Sequence, residues 1–144
     1  MINQKQKVEF LTKVPLFQSL KKRQLESLAK RFVERNYVAE SAIVTQNKGG
    51  EGIFIVVSGN AKVIRQRSDG EQVQVNEFGP SDFFGELALL DDGPRTASVI
   101  TTEPTNCLVL TRWDFYSVLK TDADMAVAIL QELAKRFRIA LDAL

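Results

Sequence analysis

The chain has 144 residues, a length that fits one domain around one core, and 44% of them are apolar, enough to fill that core. Its 19 Lys and Arg against 18 Asp and Glu leave a formal charge of +1, which argues against a dedicated nucleic-acid binder with its concentrated basic surface. Histidine is absent and Cys107 is the single cysteine, so Ser-His and Cys-His nucleophiles, His-ligated metals, multi-thiolate sites and an intrachain disulfide are excluded.

Residues 1–7 are polar and lack the apolar stretch of a signal peptide. No later segment is apolar over the roughly 18 residues that a membrane span needs. Together with the lone cysteine, this gives a cytoplasmic protein or fragment as the expectation. Val8, Leu11, Leu16, Leu20, Leu25, Leu28 and Phe32 recur at helical intervals. Pro15 divides the 8–31 stretch into two helices, the second starting near Lys21 with Ser19 as its cap. Lys21, Lys22 and Arg23 read as a solvated helix face.

From Phe32 the period shortens from helix to strand. Residues 37–45 read as one or two strands, and Asn47-Lys48-Gly49-Gly50 as a turn. Ile53-Phe54-Ile55-Val56-Val57 is an unbroken apolar run, expected as a strand buried on both faces. Ala61 and Val63 alternate with Lys62, and Ile64 breaks the alternation before the strand leaves the core near Arg65. Ser68-Asp69-Gly70 makes a hairpin turn, with Asp-Gly expected to supply the positive φ angles. Val73 and Val75 alternate with polar residues until Gly79-Pro80. Strands are also expected over 96–101 and 106–111, then a helix over 113–120 and a longer one over 123–144 capped by Asp122 or Asp124. Val127, Leu130, Leu133, Ala134, Phe137 and Leu141 lie along one face of that last helix. Short strands at this spacing point to a mainly β protein, a barrel or jelly roll.

One segment interrupts the strands: Phe83-Phe84-Gly85-Glu86-Leu87-Ala88-Leu89-Leu90-Asp91-Asp92-Gly93-Pro94-Arg95-Thr96-Ala97-Ser98-Val99. Gly85 opens a short helical turn whose first N–H groups attract an anion, and its missing Cβ lets a ligand approach. Small Ala88 does the same one turn later. Arg95 can clamp a phosphate with two parallel hydrogen bonds, and Glu86 can accept from a pair of hydroxyls. Anion cradle, cation and hydroxyl acceptor together suit a sugar phosphate.

These residues resemble the phosphate-binding cassette of the cyclic nucleotide-binding domain family, roughly F-G-E-x-A-L-L, a spacer, then P-R-x-A-x-V. The flanks agree, with Phe10-Leu11 and Val14-Pro15-Leu16-Phe17 before the strands, Ile55-Val56-Val57-Ser58-Gly59 within them and Trp113-Asp114-Phe115 after. The resemblance covers about the whole chain and implies one domain over 1–144. It would comprise N-terminal helices (8–31), an eight-stranded β-barrel or jelly roll (32–112) with the cassette at 83–99, and C-terminal helices (113–144). It further implies that Arg95 pairs with the phosphate, that backbone N–H groups of Leu87, Ala88 and Ala97 share it, and that Glu86 takes the ribose 2′-hydroxyl beside Gly85. Val73 and Val75 would pack near the purine. Thr96 bears on the choice of base. In the family a Thr or Ser here can bond a syn guanine, yet Thr also occurs in members that prefer cAMP, so cAMP is expected over cGMP. Leu133, Arg136 or Phe137 would act as a lid. The family often has glycine where this chain has Glu40, Asn47 and Ser81, a departure that bears on loop conformation.

The expected function is that of a non-catalytic cyclic-nucleotide receptor with no further cofactor and no metal. Its C-terminal helices would report to a protein partner or to an effector domain outside these residues, with a homodimer face on the long helix. No nucleic-acid contact is expected from this chain itself. The competing expectation is a ligand-independent interaction module on the same strands.

Overall fold

In the computed structural model, which describes residues 1–144, the chain divides into a helical unit (Met1–Phe32 and Trp113–Leu144) and a β unit (Val33–Arg112). The helical unit opens with α1 (Gln4–Leu11), which starts earlier than its apolar spacing suggests because Asn3 caps it. Asn3 Oδ1 accepts from the Gln6 N–H and Gln6 Oε1 accepts from the Asn3 N–H, each at 2.9 Å. Pro15 does interrupt the helix, and it begins a 3₁₀ turn, Pro15–Phe17, before α2 (Lys22–Ala29). The cap of α2 is Lys21 rather than Ser19: its N–H donates to Gln24 Oε1 at 2.9 Å, which is why the polar Gln24 is buried. Phe17 and Phe115, both fully buried, meet at 6.3 Å between ring centroids.

After α3 (Arg112–Thr121), whose first residue belongs to the β unit, α4 (Ala123–Asp142) is capped by Asp122 and not Asp124. Asp122 Oδ1 accepts from the Met125 N–H at 3.0 Å, a contact of about 1 kcal/mol. The long helix packs on the Pro15–Phe17 turn, and its buried residues are Met125, Ile129 and Glu132. The face singled out by its apolar spacing is the opposite one, with Leu130 64% and Phe137 65% exposed. Trp113 is also mostly exposed. No helix is long and apolar enough to cross a membrane.

The β unit has eight strands: β1 (Val33–Tyr37), β2 (Ala42–Val44), β3 (Gly52–Ser58), β4 (Ala61–Gln66), β5 (Gln72–Phe78), β6 (Phe83–Phe84), β7 (Ser98–Thr101) and β8 (Thr105–Thr111). They pair antiparallel in two four-stranded sheets, ordered β1-β8-β3-β6 and β2-β7-β4-β5, rather than in one closed barrel. Central β3 is buried on both faces, as its unbroken apolar run requires. Phe54, Val56, Phe84, Cys107 and Val109 of the first sheet meet Ala61, Val63 and Val99 of the second in one core cluster. Burial pushes the Cys107 thiol up to about 12, so it stays neutral. Phe84 stacks on Phe54 and on Phe78, both at 5.1 Å with nearly parallel planes, and so joins the two sheets through three rings.

Register shifts between Val63 and Ile64, which pair with Asn76 and Gln74. Val75 is therefore an extra residue on β5, a β-bulge. The 67–71 hairpin differs from the Asp-Gly expectation. Only Gly70 has positive φ (87°), following a turn closed by the Gly70 N–H on the Arg67 carbonyl at 2.9 Å. That is the longer loop type, a plain turn followed by a left-handed glycine. Glu40 (φ 59°), Asn47 (69°) and Ser81 (74°) are the three non-glycine residues with positive φ. They are the positions at which the resembled family often has glycine.

Candidate functional site

The cassette begins where β6 ends. Phe84 is fixed in the three-ring stack, and Gly85 turns the chain with φ 85° into the 3₁₀ helix Glu86–Leu89. The geometry of a helix start leaves the Leu87 amide without an intrahelical acceptor. The Ala88 N–H, by contrast, donates to the Gly85 carbonyl at 3.0 Å and is occupied by the turn.

Arg95 is set by its backbone. Its N–H donates to the Lys48 carbonyl at 2.9 Å, and its carbonyl accepts from the Asn47 N–H at 2.8 Å. Left-handed Asn47 thereby serves the site. The guanidinium turns inward, where Nη2 donates to the Gly52 carbonyl at 2.9 Å, while Nε is buried with no hydrogen-bond partner. Burial lowers its affinity for the proton and the field of Glu51 partly offsets this. An arginine stays charged under such a shift, so a cation faces the cavity with donor capacity unused.

Glycines wall this cation. A Cβ on Gly50 would stand 2.6 Å from Arg95 Nε and 2.8 Å from Ala88 Cβ, and one on Gly85 would stand 2.5 Å from Arg95 Nη1. A Cβ on Gly52 would collide with the Leu110 carbonyl. Gly50 and Gly52 were not singled out from the sequence, although three glycines within 49–52 are the available signal.

Two cavities meet at Gly85, Arg95 and Thr96. The larger, about 470 Å³, is lined by the cassette itself, including Glu86, Leu87 and Ala88. The smaller, about 190 Å³, opens between the sheets and is lined by Ala97 with Val44, Val63, Phe78, Phe84 and Val99. The larger volume falls within the roughly 300–1,000 Å³ range of small-molecule sites. Gly85, Glu86, Leu87, Ala88, Arg95, Thr96 and Ala97 are thus brought together as the sequence suggests. Val73 and Val75 line neither of these two cavities, and Val75, at the bulge, is 51% exposed. Leu133 and Arg136 are half-buried and Phe137 exposed on α4 of the helical unit.

Comparison with known proteins agrees with this geometry. The family model described as cyclic nucleotide-binding domain matches residues 34–122. The chain is 28% identical over 130 residues to a CRP-like cAMP-activated global transcriptional regulator of Mycobacterium tuberculosis (strain CDC 1551 / Oshkosh), covering 90% of this chain and 58% of the relative. The N-terminal domain of a transcriptional regulator from Streptomyces coelicolor A3(2) superposes with TM-score 0.86 at 30% identity, over 94% of this chain and 96% of that one. The Thermus thermophilus catabolite activator protein superposes with TM-score 0.71 at 31% identity, over 88% of this chain and 60% of that one. The chain therefore spans less than two thirds of its curated relative's length.

Proposed function

Because the chain belongs to the cyclic nucleotide-binding domain family, we propose that it is a non-catalytic receptor for a cyclic nucleotide, cAMP in preference to cGMP, acting in the cytoplasm. The observation that carries this reading is Arg95, a half-buried cation with an unpartnered Nε at the junction of two cavities. A cyclic phosphate supplies the missing acceptor and charge. The opening amides of the cassette turn would share it, and Glu86 would accept from the ribose 2′-hydroxyl. The Ala88 amide contributes only if it leaves or shares the Gly85 carbonyl. The purine would lie toward Val44, Val63, Phe78 and Val99, a wall that replaces the expected Val73 and Val75. The preference for cAMP is supported by the similarity to a cAMP-activated regulator of Mycobacterium tuberculosis, while Thr96 suits either purine.

Ligand binding would shift the population of the C-terminal helices, by no more than the ligand's differential affinity for the two states. The output would pass to a protein partner or an effector domain. Val127, Leu130, Phe137 and Leu141 on α4 form the candidate face for a second copy of the chain, with Leu133 and Arg136 kept as lid residues. We treat 1–144 as one functional domain.

Calorimetry tests the central claim. Wild-type protein should bind cAMP, and Arg95→Ala should weaken binding by more than about 100-fold, the consequence of leaving a buried phosphate charge uncompensated. Equal affinities in the two proteins would overturn the assignment.

A further inference from the structure

Arg112 lies outside both cavities, at the junction of β8 and α3, yet one of its nitrogens reaches three carbonyls on two parts of the site's frame. Its Nη1 contacts the carbonyl oxygens of Asp91 at 2.9 Å, Gly50 at 3.2 Å and Ala88 at 3.4 Å. The Ala88 and Asp91 carbonyls stand at the C-terminal end of the cassette turn. Helix geometry leaves such carbonyls without partners there, and a cation is the favoured counterpart. The Gly50 carbonyl belongs to the loop that floors the Arg95 pocket, where Gly50 abuts both Arg95 and Ala88. The Arg112 N–H also donates to the Glu51 carbonyl at 2.7 Å, so that loop is held by backbone and side chain of one residue.

Building on the nucleotide-receptor reading, we propose that Arg112 is a positioning residue that ties the end of the cassette turn and the 50–51 loop to the start of α3, so that ligand occupancy and the order of the α3 start are coupled through it. Removing the guanidinium exposes three carbonyls to one another and frees the turn at its open end. The other end remains fixed by the Phe84 stack. The coupling is local and needs no movement of Arg95 itself.

Hydrogen exchange and calorimetry on wild type, Arg112→Gln and Arg112→Lys test this. Without ligand, Arg112→Gln should exchange the Leu90 and Asp91 amides at least about tenfold faster than wild type, because those amides close the turn that Arg112 clasps. Arg112→Lys, whose ammonium also has donors for several carbonyls, should restore part of the protection. With cAMP, wild type should gain protection over 86–91 and in the first turn of α3. Arg112→Gln should bind at least about tenfold more weakly and, when saturated, protect the cassette without protecting α3. Unchanged exchange in the unliganded Arg112→Gln protein, or α3 protection equal to wild type at saturation, would overturn the proposal. If wild type binds neither cAMP nor cGMP, the receptor reading falls, and the unliganded exchange still decides the tether. If Arg112→Gln does not fold, Arg112→Lys against wild type carries the comparison, and protection equal to wild type in both states then counts against the proposal.

Discussion

Glu40, Asn47 and Ser81 each hold a backbone angle that glycine would adopt without steric cost. A left-handed L-residue costs about 1–2 kcal/mol, less for asparagine, while a new glycine loses up to about 1 kcal/mol of that gain to chain entropy. Glu40→Gly should therefore raise stability slightly, by up to about 1 kcal/mol in urea denaturation, whereas β-branched Glu40→Val should lower it. The Glu40 N–H is kept in place by the Thr101 carbonyl at 2.9 Å, so the loop retains its anchor in either variant. Residues of this kind are legible only against a family pattern. Nothing in Glu40 itself announces a positive φ. The same limit applies to Gly50 and Arg112. Their importance comes from which atoms lie next to them across 45 residues (Gly50 and Arg95) or 21 (Arg112 and Asp91), an apposition that no local spacing encodes. Gly85, Glu86 and Arg95 could be read because their chemistry sits inside one short segment.

Among the elements, strands were easier to locate than to orient. The run of Ile53 to Val57 marks β3, and the polar residues after Ile64 mark where β4 leaves the core, with Arg65 and Gln66 exposed. The bulge at Val75 has no signal in the strand's alternation, and the placement of Val73 and Val75 near a purine is implied by the family resemblance alone. Two-residue β6 was too short to show a period, and it is defined by its pairing with Phe54 and Ile55. Helix α4 poses the converse difficulty. Its apolar stripe was correctly seen, but the covered stripe is Met125, Ile129 and Glu132, which includes a carboxylate. Periodicity reports that a face is apolar and not whether the fold covers it. If the exposed stripe meets a second copy of the chain, sedimentation should show a dimer for wild type and a monomer for Leu130→Lys/Phe137→Lys. Folding stability per chain should change by no more than about 0.5 kcal/mol for each exposed substitution. A wild-type monomer at every concentration would remove the self-association reading.

For the molecule as a whole, the mainly β class was legible because the apolar period switches from helix to strand near Phe32 and back after Arg112. Division into two sheets rather than a barrel follows from pairing partners, which the period does not specify. A ligand that binds only the folded state stabilises it by mass action, by about 2.7 kcal/mol at one hundred times its dissociation constant. For a chain of this size that amounts to roughly 5–10 °C in melting temperature. Saturating cAMP should produce such a rise in wild type and little in Arg95→Ala. No rise with either cAMP or cGMP would favour the interaction module. The three stacked rings add a constraint of a different kind. Phe84 precedes Gly85 directly and is gripped by one ring from each sheet, so the start of the cassette behaves as a fixed post. Any swing of the loop is then limited at one end by that post and at Asp91 by the Arg112 contact, and is freest beyond that contact, near Gly93. In the receptor reading, the direction in which a signal would leave the pocket is set by this asymmetry of anchoring.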